Sequence, residues 1–191
     1  MEKEKALRIF KETGALLEGH FRLTSGLHSP QYFQCAKVLQ HPKRATAFCR
    51  EIALECTFND VIDVVISPAI GGIVVGQEVA RLLGCRAIFA EREGDVMTLR
   101  RGFEIKPGEN VLAVEDVVTT GGSIKEVISL AKQAGGIIKG VAFIVDRSGD
   151  RVKFDVPFFA ALKMDVITYP PEECPLCKQG IELTKPGSRK V

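Results

Sequence analysis

The stretch VLAVEDVVTTGGS, residues 111–123, contains the features that predict the fold of this chain. Its apolar run, 111–114, is typical of a strand that is buried on both faces, as in parallel sheets. Glu115 and Asp116 follow directly, at the end of the strand where open α/β sheets bind ligands. The glycine-rich TTGGS then leads into a helix, whose free N–H groups suit a phosphate. The stretch therefore predicts a strand, an acidic pair, a phosphate loop and a helix, in that order.

This combination of acidic and amide groups suits a phosphorylated sugar. Carboxylates accept charge-assisted hydrogen bonds from vicinal hydroxyls, whereas backbone N–H groups and hydroxyls hold a phosphate dianion. A ribose 5-phosphate satisfies both requirements, because its diol and its phosphate lie at opposite ends of one ring. The predicted site consists of Glu115, Asp116, Val117, Val118, Thr119, Thr120, Gly121, Gly122 and Ser123.

The same stretch resembles the phosphoribosyl pyrophosphate (PRPP) motif of type I phosphoribosyltransferases. The chain contains neither G-x-x-x-x-G-K-[ST] nor G-x-G-x-x-G, which argues against a P-loop nucleotide hydrolase and a Rossmann dinucleotide binder. The resemblance implies transfer of ribose 5-phosphate from PRPP, with Glu115 and Asp116 as catalytic residues that stabilise positive charge on the ribose. It also implies Mg²⁺ as the cofactor, bound through the substrate and without a dedicated protein cage.

Composition predicts one domain, residues 1–191, because 191 residues with 46% apolar content suffice for a single core. The net charge of +2, from 26 basic and 24 acidic residues, gives no support for binding nucleic acid or a membrane surface. The N-terminus, MEKEK, has charges of both signs and lacks the apolar core of a signal peptide. We therefore expect a cytoplasmic protein.

Apolar periodicity predicts alternating helices and strands along the chain. Alternation of this kind indicates an α/β fold with an open, mainly parallel twisted sheet and helices on both faces, as in type I phosphoribosyltransferases. The resemblance to that family implies a small N-terminal hood, mainly within residues 1–40 with contributions from the C-terminal region, and a core over about 41–165. Helices are predicted at 2–18, from Pro42 onward, at 72–83 and at 123–134, and strands at 61–67, 86–90, 110–114 and 137–145.

The segment SPAIGG, residues 67–72, closes the predicted strand 61–67 with two glycines that would let backbone amides approach an anion. An ordinary strand-to-helix turn is the alternative. In the resembling family this is the pyrophosphate loop, which implies a cis peptide near Ala69 and Ile70. Family members often have a lysine where this chain has Gly71, so another residue must supply that positive charge. The implied PRPP contacts are Ala69, Ile70, Gly71 and Gly72.

The segment GHFRLTSGLHSPQYFQ, residues 19–34, resembles the hood of orotate phosphoribosyltransferases, and VDR at 145–147 resembles their downstream motif. The planar fork of Arg147 suits the two oxygens of the orotate carboxylate. The resemblance implies that Tyr32 and Phe33 could stack on the ring of the base, whereas the residues alone favour core positions for both. The resemblance implies orotate binding by Thr24, Ser25, Gly26, Tyr32, Phe33, Thr119 and Arg147.

Residues 91–103, EREGDVMTLRRGF, have three arginines and no clear period. We interpret them as a mobile basic loop in which Arg92, Arg100 and Arg101 are catalytic, stabilising the departing pyrophosphate. A solvated hairpin is the alternative. Many orotate phosphoribosyltransferases carry R-K-x-x-K-x-H here, reaching into the neighbouring subunit, but this segment has no histidine. The resemblance further implies a homodimer.

The cysteines and histidines give a weaker pattern. Cys174 and Cys177 form a C-x-x-C pair, which is half of a zinc site, and no second C-x-x-C or paired histidines are evident in the sequence. A local disulfide, a metal site completed by another subunit and a simple turn in the tail remain open. The other four cysteines are expected as small apolar residues. The remaining candidates, expected in the hood or on the surface, are His20, His28 and His41.

Three other functions are compatible with parts of the sequence. The first is a phosphoribosyltransferase for a purine base or uracil, because the ribose-phosphate half of the site is common to the larger family. The second is a regulator that senses PRPP without catalysis. In the third, a structural module, the acidic pair would merely cap a helix.

Overall fold

The computed structural model describes residues 1–23, 25–56, 61–149, 151–164 and 167–186. The N-terminal part contains α1 (Lys3–Glu12), β1 (Leu16–Arg22), β2 (His28–Phe33), α2 (Ala36–Leu39) and α3 (Pro42–Cys56). The middle contains β3 (Val64–Pro68), α4 (Gly71–Leu83), β4 (Arg86–Glu93), β5 (Val96–Leu99), β6 (Asn110–Val118), α5 (Gly122–Gln133) and β7 (Ile137–Asp146). The last elements are β8 (Phe158–Lys163), a 3₁₀ turn (Pro171–Glu173) and α6 (Pro175–Lys178).

The central sheet has six strands in the order β5-β4-β3-β6-β7-β8. Every neighbouring pair is parallel except β4 and β5, which are antiparallel. Inward residues of α3 and α4 pack on one face of the sheet, and those of α5 pack on the other. The predicted α/β fold with helices on both faces is confirmed.

Strand β6 is longer than its apolar run predicts, and it contains the acidic pair. Its pairing with β3 ends at Ala113, whereas its pairing with β7 continues to Val118. Glu115 and Asp116 therefore lie within the strand, beyond the residue where its pairing with β3 ends. The edge of β6 towards β3 is open there, so ligands can approach these residues.

Helix α1 ends at Glu12, so the prediction that it extends to residue 18 is wrong. Gly14 has a φ of 63°, and the N–H of Ala15 donates to the carbonyl of Phe10 at 2.8 Å. This arrangement, with Gly14 donating to Lys11 at 3.0 Å, is a Schellman C-cap. The apolar residues that follow belong to β1. The sequence pattern did not show this, because a pair of apolar residues is compatible with either a helix or a strand.

The hood contains an antiparallel sheet of β1 and β2, which is separate from the central sheet. The C-terminal segment borders both strands of this hairpin. Thr184 forms a parallel bridge with Phe21, and Tyr169 forms an antiparallel bridge with His28. Residues 167–186 thus return to the N-terminal part of the chain.

The basic segment 91–103 begins as a hairpin, not as an irregular loop. Strand β4 continues to Glu93 and pairs with β5 across a turn in which Gly94 has a φ of 62°. The alternation of apolar and charged residues in EREGDVMTL is too short to identify two strands, so the hairpin could not be predicted from the sequence pattern. Strand β8 was also missed.

Within the described residues, none of the helices has the length and apolar character that crossing a bilayer requires.

Candidate active site

Two cavities meet at the acidic pair. The first, which we call the hood cavity, has a volume of about 460 Å³ and lies between the hood and the end of β6. The second, the loop cavity, has a volume of about 630 Å³ and lies beside the turn between β3 and α4. Because Glu115 and Asp116 line both, one ligand could fill both cavities across the acidic pair. The other shared residues are Tyr32, Gln34 and Ser123.

The predicted phosphate loop borders the hood cavity at the start of α5. Gly121 is the N-cap with a φ of 75°, and a Cβ there would lie 2.8 Å from a methyl group of Val152. Glycine is therefore required by both backbone conformation and space. Since the N-cap is Gly121 and the acidic pair lies in β6, the acidic pair does not cap this helix. The alternative of a structural module, in which the acidic pair merely caps a helix, is therefore wrong. The loop residues that line the cavity are Val117, Thr119, Thr120, Gly121, Gly122 and Ser123.

The carboxylate of Asp116 lies against the turn that precedes α4. An added Cβ at Gly71 would be 2.5 Å from Oδ2 of Asp116, which is closer than any real contact. A lysine therefore cannot occupy position 71 while Asp116 keeps this position. Burial raises the pKa of Asp116, although hydrogen bonds from the N–H groups of Val117 and Asp116 partly oppose the shift.

We expect Gly71→Ala to lower kcat/KM about tenfold, because the new methyl group displaces the Asp116 carboxylate from the acidic pair. The measurement is steady-state kinetics in which the varied substrate is PRPP, the substrate that the sequence resemblance implies. Gly140→Ala is the matched control, since its added Cβ would meet its nearest neighbours at 3.4 Å and 3.5 Å, ordinary contact distances. Equal activities of the two variants would contradict the role given to Gly71.

Arg147 lies immediately after β7 and lines the hood cavity. Its backbone N–H donates to the carbonyl of Val118 at 2.9 Å, and its guanidinium carbon lies 5.3 Å from the centre of the Phe33 ring. The side chain is 5% exposed, and its Nε and Nη2 are buried without a hydrogen-bond partner in the described residues. Burial lowers the pKa of Arg147, yet guanidinium stays charged in proteins. A buried cation at a cavity wall whose nitrogens lack hydrogen-bond partners in the described structure calls for an anionic ligand.

Residues 35–167 match the phosphoribosyl transferase domain family. The orotate phosphoribosyltransferase of Thermoanaerobacter sp. (strain X514) is 60% identical over 190 residues, which is 100% of both chains. This chain belongs to the orotate phosphoribosyltransferase family. The orotate phosphoribosyltransferase of Chlorobium phaeobacteroides (strain DSM 266 / SMG 266 / 2430) is 57% identical, with 99% of this chain and 97% of that protein aligned.

Solved structures show the same fold. The crystal structure of orotate phosphoribosyltransferase from Aeropyrum pernix matches with a TM-score of 0.70 and 25% identity, covering 82% of this chain and 92% of that one. An adenine phosphoribosyltransferase from Rhodothermus marinus DSM 4252 matches with a TM-score of 0.66 and 23% identity, covering 84% and 99%. Because transferases for different bases share this fold, the fold does not identify the base.

The structure brings most of the predicted orotate phosphoribosyltransferase site together. Ser25, Tyr32, Phe33, Thr119 and Arg147 line the hood cavity, and the acidic pair separates it from the loop cavity. Phe33 is 3% exposed and packs on Phe10, so it is a core residue as well as a residue of the cavity wall. Gly26 and Val118 line neither cavity, and Thr24 lies outside the described residues.

The loop cavity contains the predicted pyrophosphate loop. Ala69, Ile70, Gly71 and Gly72 all line it, and the peptide bond between Ala69 and Ile70 is cis, as the orotate phosphoribosyltransferase resemblance implied.

Sequence reasoning missed two cations of the loop cavity, Arg22 and Lys185. Arg22 ends β1 in the hood. Lys185 lies in the tail and reaches the cavity because Thr184 is hydrogen-bonded to the hood, its N–H donating to the carbonyl of His20 at 2.9 Å. Together these residues offer positive charge to a cavity whose turn has no lysine at position 71. No local signal could have found them, because their proximity depends on the return of the tail.

The three predicted catalytic arginines lie on and after the β4–β5 hairpin, where they contact acidic side chains of the same chain. Arg92 is 2.8 Å from Glu126. Arg100 and Arg101 are 3.8 Å and 3.0 Å from Glu91, respectively. None of the three lines either cavity of this chain. Their catalytic role stays a prediction.

Cys174 and Cys177 meet His20 and His28 in the hood. The expectation that no paired histidines accompany the C-x-x-C is wrong, since these four side chains place their ligand atoms within 4.8 Å of one another. The two histidines are eight residues apart on the β1–β2 hairpin, which is not the short spacing of familiar zinc sequence patterns. His41 is exposed and far from this cluster in sequence, as expected for a surface residue.

Proposed function

We propose that the protein transfers ribose 5-phosphate from PRPP to a ring nitrogen of orotate, a step in making UMP. The bond between ribose C1 and the pyrophosphate oxygen breaks, and a bond from C1 to the ring nitrogen forms. The ring nitrogen loses its proton, and the products are orotidine 5-monophosphate and pyrophosphate. The observation that carries the proposal is Arg147, a buried cation at the wall of a cavity that also contains the acidic pair, with two guanidinium nitrogens that have no hydrogen-bond partner among the described residues. Orotate is an anionic base that supplies the missing partner.

The two cavities accommodate the two substrates in one arrangement. The orotate carboxylate would contact Arg147, while the ribose diol would donate hydrogen bonds to Glu115 and Asp116. The 5-phosphate would bind at the first turn of α5, where backbone N–H groups are free. The pyrophosphate would then extend into the loop cavity, towards Arg22 and Lys185.

Electrostatic stabilisation accounts for the chemistry in this arrangement. As the bond to pyrophosphate stretches, positive charge develops on the ribose ring, and the adjacent carboxylates of Glu115 and Asp116 stabilise it. Negative charge develops on the departing pyrophosphate, where Arg22 and Lys185 stabilise it. Neither a covalent intermediate nor a serine or cysteine nucleophile is required. Positioning the two substrates across the acidic pair supplies the remainder of the rate enhancement.

We propose Mg²⁺ as the cofactor. Two half-buried carboxylates offer too few oxygens for a protein cage, but Mg²⁺ prefers substrate phosphates, hydroxyls and water, with one or two carboxylates. Glu115 and Asp116 are the residues that fit this role. When bound, the ion would neutralise charge on the pyrophosphate.

The test is pyrophosphate release by the purified protein with PRPP, Mg²⁺ and one base at a time. The bases are orotate, uracil, adenine, hypoxanthine, guanine and xanthine. We expect release with orotate only, and none when EDTA removes the metal. Turnover with a purine or uracil but not orotate would sink the assignment and favour a transferase for another base. PRPP binding without turnover on any base would favour the sensor.

We also propose a homodimer in which one subunit's hairpin serves its partner's site. Arg100 and Arg101 are half exposed and line neither cavity of their own chain. In a dimer they could instead contact the pyrophosphate bound in the loop cavity of the other subunit. Ile70 is 83% exposed and Val74 is 46% exposed, which leaves an apolar patch at the start of α4 for a partner to cover. Light scattering coupled to size-exclusion chromatography should give twice the chain mass. A monomer at micromolar concentration would contradict this proposal.

A cytoplasmic location is also proposed. None of the six cysteines, all within the described residues, forms a disulfide, and reduced cysteines persist in reducing compartments. Cell fractionation followed by immunoblotting should recover the protein with cytoplasmic markers, and recovery with any other fraction would refute the location.

A further inference from the structure

We propose a structural zinc site in the hood, formed by His20, His28, Cys174 and Cys177. The ligand atoms are Nε2 of His20, Nδ1 of His28 and the two Sγ atoms, all within 4.8 Å of one another. None of these residues lines the hood cavity or the loop cavity. The site is therefore separate from the transfer reaction and stands whether or not the proposed function is right.

Four of the six distances between the ligand atoms are close to those of a tetrahedral zinc site, and the other two, both to Sγ of Cys174, are at most 4.8 Å. Zn–N bonds of about 2.0–2.1 Å and Zn–S bonds of about 2.3 Å place a nitrogen and a sulfur about 3.5 Å apart and two nitrogens about 3.3 Å apart. Nε2 of His20 lies 3.5 Å from Sγ of Cys174 and 3.7 Å from Sγ of Cys177. Nδ1 of His28 lies 3.3 Å from Sγ of Cys177 and 3.0 Å from Nε2 of His20. One ion at the centre could bind all four.

The other nitrogen of His20 orients the ring for metal binding. Nδ1 of His20 is 2.8 Å from the carbonyl oxygen of Ile181. Because a carbonyl oxygen only accepts hydrogen bonds, Nδ1 carries the proton and donates it, which leaves the lone pair of Nε2 directed at the cluster. Zinc-bound histidines typically make this kind of contact to a backbone carbonyl. If Cys174 and Cys177 only formed a turn in the tail, nothing would require this orientation of the His20 ring.

Burial and ligand type favour zinc in a closed, structural site. His20, His28 and Cys174 are 2%, 5% and 0% exposed, and Cys177 lies at the surface. Four protein ligands leave no open position for substrate or catalytic water, and two thiolates with two imidazoles in tetrahedral geometry select zinc.

The site would join the C-terminal segment to the hood. His20 and His28 lie on β1 and β2, whereas both cysteines lie at α6, about 150 residues later. Zinc binding would stabilise the bridges that Tyr169 and Thr184 make with the hairpin. If the proposed function holds, it would also keep Lys185 at the loop cavity, because Lys185 directly follows Thr184.

Metal content is the primary measurement. The full chain, purified without chelator and dialysed, should contain one zinc ion per chain by mass spectrometry, and Cys174→Ser and Cys177→Ser should each lose at least tenfold. Cys85→Ser, a cysteine outside the cluster, is the matched control and should keep the ion. Cobalt-reconstituted wild-type protein should show the visible bands of tetrahedral Co²⁺ and a thiolate charge-transfer band, which tests the site without any substitution.

A pair of histidine variants tests the assigned ligand atoms. His28 binds through Nδ1, close to its own backbone, so a cysteine sulfur can take its place and His28→Cys should retain zinc. His20 binds through the distant Nε2, which a cysteine cannot reach, so His20→Cys should lose it. Retention by both variants, no binding of zinc or cobalt by the wild type, or a Cys174–Cys177 disulfide in protein purified under anaerobic conditions would each overturn the proposal.

Discussion

Asp116→Asn is expected to lower kcat/KM by about 10²–10³-fold while the protein becomes more stable. The asparagine keeps the shape of the side chain and one acceptor oxygen. It removes the negative charge that stabilises the ribose in the transition state, so turnover falls. Stability rises because the wild-type carboxylate is partly desolvated, as its raised pKa shows.

The stability gain should depend on pH in a defined direction. A folded-state pKa above the unfolded value means that the native state binds more protons, so this residue's contribution to stability falls as the pH rises through the raised pKa. The variant should therefore exceed the wild type most at neutral pH, by about 2–4 °C in Tm for each kcal/mol recovered. The difference should nearly vanish below the ordinary aspartate pKa of about 4.

The measurements are steady-state kinetics and thermal unfolding at several pH values. Asp155→Asn, at an exposed position, is the matched control and should change neither activity nor Tm. Unchanged kinetics for Asp116→Asn would show that the diol binds elsewhere. A large fall in Tm at neutral pH would show that the carboxylate holds the scaffold together.

Arg147→Ala is expected to lower kcat/KM for orotate by about 10²-fold, mainly through a higher KM. Two charge-assisted hydrogen bonds to the orotate carboxylate are lost, and about 3 kcal/mol corresponds to about two powers of ten. The KM for PRPP should change little, because Arg147 contacts the orotate carboxylate and no part of PRPP in the proposed arrangement. The protein should still fold, since two buried guanidinium nitrogens of Arg147 have no hydrogen-bond partner within the described part of the chain.

A comparison of bases separates an electrostatic role from a packing role. Uracil lacks the carboxylate, so any residual reaction with uracil should be equally slow in Arg147→Ala and the wild type, and the preference for orotate should shrink. Arg50→Ala, an exposed arginine on α3, is the control and should retain the wild-type KM. An unaltered KM for orotate in Arg147→Ala would reject the assignment.

The sequence was sufficient to predict the parts of the site whose residues are adjacent in the chain. The run from Val111 to Ser123 contains strand, acidic pair, phosphate loop and helix start as one continuous unit, because a parallel strand and its following helix are adjacent in the chain. The sugar-phosphate chemistry of this run could therefore be predicted from the sequence alone. Extended apolar runs separated by helical periods likewise predicted the central sheet.

Sequence reasoning failed where two elements have similar patterns or where strands are short. Leu16 and Leu17 fit the period of α1, and only the C-cap at Gly14 shows that the helix has already ended. The β4–β5 hairpin was interpreted as a loop because four paired residues carry too little alternation to identify. In both cases hydrogen bonding decided between structures that the local pattern allowed.

The sequence by itself determined the fold class, the sugar-phosphate half of the site and Arg147 as the candidate for the base, since each rests on local patterns or a short motif. Only the tertiary structure showed that Gly71 has no room for a side chain beside Asp116 and that Lys185 reaches the loop cavity. It alone brought His20 and His28 to Cys174 and Cys177. The physical reason is the same for all three: these contacts join residues that are distant in the chain, and their distances depend on how the tail and the turns pack.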